Sequence, residues 1–118
     1  MNDTSTPLQS LVEIPAGWTG REELEEPILS GTSVRLGRII SRGHTTARGT
    51  WYDQDEDEWV ALLQGQATIL LGDHERVSMR ASESLLIPAH VRHRVEYTST
   101  EPPCVWLTLH GRLRRGSL

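Results

Sequence analysis

The segment WYDQDEDEWVALLQG, residues 51–65, is the most informative part of the chain, because a strongly acidic turn runs directly into an apolar run. The apolar part, residues 58–64, is short and ends at a glycine, which is typical of a buried strand. Further along, PAHVRH at residues 88–93 brings two histidines beside a proline. We expect the two segments to meet at one polar pocket inside a barrel of strands.

Short apolar segments continue on both sides of this stretch, separated by Gly, Pro and Ser. Gly65-Gln66 predicts a tight hairpin between the strands at 58–64 and 67–71, since glycine adopts positive φ without steric cost. About seven short strands at close spacing predict an all-β sandwich or barrel. The predicted strands lie at residues 33–41, 58–64, 67–71, 76–80, 84–88, 92–98 and 104–110.

The N-terminal region carries a different pattern. Thr19 and Glu22 form a predicted capping box, and the helix-favouring EELEE follows. Pro27 limits the predicted N-terminal helix to about two turns, because proline cannot donate a hydrogen bond to the preceding turn. We predict a flexible tail at residues 1–12 and a single domain at 13–118.

Composition restricts the class of protein. A chain of 118 residues suits one domain, and its single cysteine, Cys104, cannot form an internal disulfide. We find neither a signal-peptide pattern nor an apolar run of the roughly 20 residues that a bilayer requires. A net charge of −4 argues against nucleic acid as a partner. We therefore expect a soluble, cytoplasmic protein with no membrane or nucleic-acid partner.

Two spacings carry a resemblance to a known family. Six residues lie between Glu58 and Gly65, and four lie between Pro88 and His93. In these features the chain resembles a small single-domain cupin, over roughly residues 33–110. The resemblance implies a jelly-roll barrel, or double-stranded β-helix, with metal ligands on facing strands. It also implies edge-strand pairing into a homodimer.

The chain departs from the cupin pattern at several positions. The two histidines that precede the glutamate in that family fall on Tyr52 and Gln54 with the shorter spacing, or on Trp51 and Asp53 with the longer. In the second motif, Ser82 and His90 stand where the pattern has glycines, and Tyr97 where it has asparagine. The usual site of three histidines and one glutamate is therefore absent as written.

Strand periodicity still directs two of the matching residues inward. Glu58 shares a face with Val60, and His93 shares one with Val95, because side chains alternate along a strand. A buried carboxylate requires a partner or a cation, whereas the alternative is that Glu58 ends a solvated acidic turn. The resemblance and these residue types imply a divalent metal (Zn, Fe, Mn or Ni). The predicted ligands are Glu58, His93, Gln54 and His90, with His110 and His44 in reserve.

A small-molecule ligand is the expected partner of this pocket. We predict Tyr52, Asp53, Tyr97 and Trp106 as substrate-binding residues, since aromatic side chains wall such pockets. Two functions remain open at this stage. One is an enzyme, an isomerase, decarboxylase or dioxygenase in which a metal polarises the substrate. The other is a non-catalytic barrel that binds a small ligand or senses a metal.

Overall fold

The computed structural model describes residues 8–116, which form eight β-strands and no helix. In this part of the chain there is accordingly no helix that could span a membrane. The prediction of an all-β fold is confirmed. The strands are β1 (Leu24–Ser30), β2 (Val34–Ser41), β3 (Asp57–Gln64), β4 (Gln66–Leu71), β5 (Glu75–Arg80), β6 (Ser84–Ile87), β7 (His93–Thr98) and β8 (Cys104–Gly111).

The strands form two antiparallel sheets. The larger sheet has the order β1-β2-β8-β3-β6, and the smaller has the order β5-β4-β7. Both sheets contribute buried side chains to one core, so the core lies between them, as in a jelly-roll barrel. Its fully or nearly buried members are Val60, Leu62, Ala67, Ile69, Met79, Cys104 and Trp106.

The inward rows of β3 and β8 explain where the core becomes polar. These neighbouring strands pair Leu62 with Trp106 and Val60 with Thr108. The next inward pair along the same rows is Glu58 with His110. Because alternate residues of a strand share a face, the apolar core continues directly into a carboxylate and an imidazole at one end of the sheet.

The predicted N-terminal helix is wrong. Thr19 Oγ1 accepts a 3.3 Å hydrogen bond from the backbone N–H of Arg21, and Gly20 has a φ of 81°, which ends any helical turn. Residues 24–30 form β1 instead, with a burial pattern that alternates along the strand. Pairing with β2 and the ion pair between Glu26 and Arg38 therefore outweigh the helix propensity of EELEE. Pro27 is tolerated because β1 is an edge strand.

The predicted hairpin between β3 and β4 is also wrong, because the two strands belong to different sheets. Gly65 is the corner at which the chain passes from one sheet to the other. Its φ is 94°, and a Cβ there would lie 2.8 Å from Ser99 Oγ and 2.9 Å from the Cα of Cys104. Only glycine fits this corner without displacing its neighbours.

The segment before β1 lies against the outer part of the larger sheet. Arg38 is almost completely buried, and its Nη1 donates to the carbonyl oxygens of Leu11 (2.9 Å) and Glu13 (2.7 Å). These bonds hold residues 11–13 to β2. Of the predicted tail, residues 1–7 lie outside the described part of the chain.

Candidate functional site

A cavity of about 160 Å³ opens between the two sheets at the polar end of the core. An engineered protein cavity of about 150 Å³ holds one benzene molecule, so this cavity has room for a ligand of similar size. The wall combines apolar core residues, polar residues and six ionisable groups. Its residues are Glu23, Glu25, Ile39, Thr45, Thr46, Tyr52, Gln54, Glu58, Val60, Ile69, Ile87, His93, Val95, Trp106, Thr108 and His110.

Glu58 lies in this wall between two histidines. His93 Nε2 is 3.2 Å from Glu58 Oε1, and His110 Nε2 is 3.3 Å from Oε2. The Glu58 and His93 side chains are 13% and 7% exposed, and His110 is 20% exposed. Because His110 comes from the strand beside Glu58 and His93 from the opposite sheet, the carboxylate ties the two sheets together.

The surroundings keep the Glu58 carboxylate ionised. Burial by itself raises the pKa of Glu58, but the contacts of His110 and His93 together outweigh burial and lower that pKa to about 2. A buried carboxylate with such neighbours is a hydrogen-bond acceptor rather than a proton acceptor at neutral pH.

His93 is oriented from three sides. Its Nδ1 lies 3.0 Å from the carbonyl oxygen of Val91, an acceptor, so Nδ1 carries a proton and Nε2 faces Glu58. Tyr52 stacks on the imidazole with 5.5 Å between ring centroids, and the backbones of the two residues exchange two hydrogen bonds. Burial lowers the pKa of His93, but Glu58 and the Val91 carbonyl offset it, and the net shift is upward.

Gln54 contributes an unsatisfied group to the cavity wall. Its Oε1 is buried and has no hydrogen-bond partner among the described residues. A buried amide oxygen without a partner costs about 1–3 kcal/mol, and a ligand that donates a hydrogen bond would remove this cost. The Gln54 backbone is fixed, because its carbonyl accepts a 2.8 Å hydrogen bond from the His90 N–H.

The fit of these residues to a metal ion can be tested directly. Between residues 8 and 116, no three His, Cys, Asp or Glu side chains are arranged to hold a metal ion. Each imidazole Nε2 lies against a different oxygen of Glu58, so the carboxylate itself occupies the space between them. As arranged, the side chains do not form a metal site, although the Gln54 oxygen and the anchored His93 are features that metal sites share.

The structure divides the predicted site residues into two groups. Glu58, His93, Gln54, Tyr52 and Trp106 all line the cavity. His90, Asp53 and Tyr97 do not line it. His90 is exposed and lies 2.9 Å from Asp53 through Nδ1 and 3.5 Å from Asp55 through Nε2, while Tyr97 is 48% exposed.

Two groups of wall residues were not among the predicted site residues. His110, considered only in reserve, follows the inward parity of Trp106 and Thr108, a signal available in the sequence. Glu23 and Glu25 were assigned to a helix, and their place at the cavity mouth depends on the pairing of β1 with β2. The reserve ligand His44 instead contacts the backbone of Arg42 and Arg21.

Comparison with known proteins supports this architecture. Residues 42–110 match the cupin domain family. A proposed mannose-6-phosphate isomerase from Ralstonia eutropha JMP134 superposes with a TM-score of 0.82 at 36% identity, over 92% of this chain and 100% of that one.

More distant structures share the fold alone. A cupin superfamily protein from Desulfitobacterium hafniense has a TM-score of 0.72 at 18% identity, over 94% of each chain. KdgF from Halomonas sp. has a TM-score of 0.65 at 17% identity, over 78% of this chain and 80% of its own. No curated protein matches the sequence. The family match spans more than half of the chain, and the chain belongs to the cupin domain family.

Proposed function

We propose that the cavity binds a small polar molecule and that Glu58 accepts a hydrogen bond from it. The observation that carries this proposal is a carboxylate kept ionised in the cavity wall by His93 and His110. The unsatisfied Gln54 oxygen lies in the same wall. Apolar groups such as Val60 and Trp106 supply the rest of the wall, which is the composition of small-molecule sites.

The same residues suit proton transfer to and from a bound molecule. Glu58 is too weak a base at neutral pH to take a proton, whereas an imidazole exchanges protons there readily. His93 has both ring nitrogens against acceptors. His110 is the more exposed of the two histidines and is the group we assign to proton exchange. A proton shift within the ligand, as in an isomerisation, is the reaction class that needs these groups, and the name of the R. eutropha protein is consistent with it.

Binding without turnover is the alternative function. It is favoured by Tyr52 and Gln54, which stand at the positions of the missing family histidines with the shorter spacing. Burial raises the pKa of the Tyr52 phenol above its ordinary value, and neither this phenol nor an amide exchanges protons at neutral pH. In this case the cavity would serve as a receptor or store for the ligand.

A divalent cation is the second candidate occupant. The Gln54 oxygen and the anchored His93 favour it, and Glu58, His93, His110 and Gln54 would hold it after a shift of the carboxylate. A bound cation would supply Lewis-acid polarisation of a ligand oxygen. Metal content measured on tag-free protein prepared without chelators tests this candidate. Stoichiometric metal that is lost in both Glu58→Gln and His93→Ala supports it, whereas metal-free wild-type protein contradicts it.

Binding can be tested by NMR on isotopically labelled protein. Trp106 lies in the cavity wall, whereas the ring of Trp51 lies outside it under the guanidinium of Arg92 at 4.2 Å. A ligand of the cavity shifts the Trp106 signal and not that of Trp51, and Glu58→Gln weakens its binding. The matched control is Glu75→Gln, an exposed position on β5 with the same change of charge. Small polar compounds that shift neither indole, or that bind both variants equally, would refute the proposal.

A second measurement separates turnover from binding. Any ligand found in this way is incubated with the protein in deuterated water. Deuterium incorporated at a ligand carbon shows proton transfer, and its loss in His110→Ala assigns that step to His110. Binding without deuterium incorporation supports the receptor function.

A further inference from the structure

We propose that this cavity selects uncharged or cationic ligands that donate hydrogen bonds and rejects phosphorylated ones. This inference rests on the proposed small-molecule function and deepens it. The ligand in the name of the R. eutropha relative is a phosphorylated sugar. The proposed ligands of this chain therefore differ from it in charge.

The charges of the cavity wall are negative. Glu58 lies inside, and the exposed Glu23 and Glu25 lie at the mouth. Among the lining residues in the described part of the chain, none is an arginine, and the chain contains no lysine at all. The only groups that can become cationic are His93 and His110, and each contacts the Glu58 carboxylate. A phosphate would therefore meet like charges without a free cation to pair with.

Three arginines make contacts with other residues of the described chain. Arg38 pairs with Glu26, and Arg35 donates two hydrogen bonds to Glu56. Arg94 donates through its two Nη atoms to the carbonyl oxygens of Thr46 and Thr50 at 3.3 and 3.5 Å, whereas its buried Nε has no partner among the described residues. Its guanidinium lies over Trp51, which is not a lining residue. A bidentate arginine clamp for phosphate is thus absent from the described wall.

Several polar atoms of the wall are acceptors only. Gln54 Oε1 is buried with no partner among the described residues, and the carboxylates of Glu58, Glu23 and Glu25 accept hydrogen bonds without donating any. The negative charges of these three carboxylates also act on the aromatic residue Tyr52 in the same wall. Burial raises the pKa of Tyr52, and the negative charges of Glu23, Glu25 and Glu58 raise it further. Hydroxyl and ammonium groups are the ligand chemistry that complements such a wall.

The volume of the cavity sets the size of the probes. A cavity of about 160 Å³ accommodates about the six heavy atoms of benzene, and glycerol has the same number. Three probes have six heavy atoms each and differ in charge: glycerol, 3-amino-1,2-propanediol and methyl phosphate. Their dissociation constants are measured from the Trp106 indole signal, with the Trp51 indole as the internal control.

We expect 3-amino-1,2-propanediol to bind at least as tightly as glycerol, and methyl phosphate to bind at least about tenfold more weakly than glycerol. Binding of the phosphate as tightly as glycerol would overturn the selectivity and leave the small-molecule function intact. Failure of all three probes to shift Trp106 at their highest soluble concentrations would overturn both. The two failures are therefore distinguishable.

A charge variant at the mouth assigns the selectivity to this site. Glu25→Gln is expected to reduce the affinity ratio between the amine and the phosphate about threefold. The control Glu75→Gln changes the net charge equally but does not line the cavity, and should leave the ratio unchanged. An equal reduction in both variants would show that net charge, and not the cavity mouth, discriminates, and would overturn the proposal.

Discussion

Of the histidine–carboxylate contacts in the described part of the molecule, the one between His93 and Glu58 lies inside the cavity and the one between His90 and Asp53 lies on the surface. His93 is 3.2 Å from Glu58, with both side chains largely buried. His90 is closer to its partner, 2.9 Å from Asp53, but these side chains are 64% and 53% exposed. The shorter contact is the weaker candidate for function, because water screens an exposed pair whereas burial strengthens both its attraction and the cost of breaking it. Burial, rather than the distance to the carboxylate, therefore distinguishes the site residue His93 from the surface residue His90.

The largest expected difference between the two contacts is in stability. Glu58→Gln removes the negative charge that His93 and His110 both contact. It should lower the free energy of unfolding by about 3 kcal/mol, the usual cost of breaking a buried pair. Asp53→Asn should leave it unchanged within error. Urea denaturation followed by circular dichroism measures both. Similar losses of unfolding free energy in the two variants would show that the buried and the exposed contact contribute equally to stability.

The contribution of Glu58 should also depend on pH in a defined window. The pKa of Glu58 falls from 4.5 to about 2 on folding, so its stabilisation is present above pH 4.5 and is lost as the pH falls towards 2. The pKa of His93 is raised above 6.5, so its stabilisation is present below pH 6.5 and is lost as the pH rises through the folded value. The stability gap between wild type and Glu58→Gln should therefore be widest between pH 4.5 and 6.5. Denaturation across pH 2 to 8 tests this, and a constant gap would contradict it.

The two histidines should respond differently when their partners are removed. The pKa of His90 is raised, first by its hydrogen bond to Asp53, and that of His93 is raised because Glu58 and Val91 outweigh burial. In Asp53→Asn, the pKa of His90 should fall, because Asp53 is the largest cause of its upward shift. In Glu58→Gln, the pKa of His93 should fall as well, because burial, which lowers it, then acts with less opposition. NMR titration of the imidazole protons reads both values.

Salt provides an independent check on the same pair. Added salt should reduce the upward shift in the pKa of His90, because exposed charges are screened. The pKa of His93 should hardly change, since its partner is buried with it. Equal salt responses would place the two contacts in the same environment.

Strand periodicity, together with the two spacings shared with cupins, predicted one half of the site. Glu58 and His93 lie at the starts of β3 and β7, on the faces that also carry Val60 and Val95, and both line the cavity. The same reasoning could not separate His90 from His93, because exposure of a turn residue depends on how the chain folds around it. Glu25 was missed because the residues around it were assigned to a helix rather than to a strand paired with β2. His110 was considered only in reserve, and its contact with Glu58 follows from the pairing of β3 with β8, two segments distant in the chain that no local pattern joins.

The departures from the cupin pattern have a backbone explanation. Ser82 and His90, which stand where that pattern has glycines, have φ values of 78° and 65°. The chain thus keeps the left-handed conformation at both turns although neither residue is glycine. An L-residue in this region is strained by about 1–2 kcal/mol relative to its preferred conformations, and these turns position β6 and the start of β7.

The smallest expected effects follow from that strain. Ser82→Gly should raise the free energy of unfolding by about 0.5 kcal/mol, because relief of the left-handed strain is partly offset by the greater freedom of glycine in the unfolded chain. His90→Gly should act in the same direction but gain less, since it also removes the contact with Asp53. Neither variant should change ligand binding at Trp106, because neither residue lines the cavity. Ser82→Ala, which keeps the strain, is the control. Weakened ligand binding in His90→Gly would show that His90 belongs to the binding site, and that its exposed contact with Asp53 has the same role as the buried contact between His93 and Glu58.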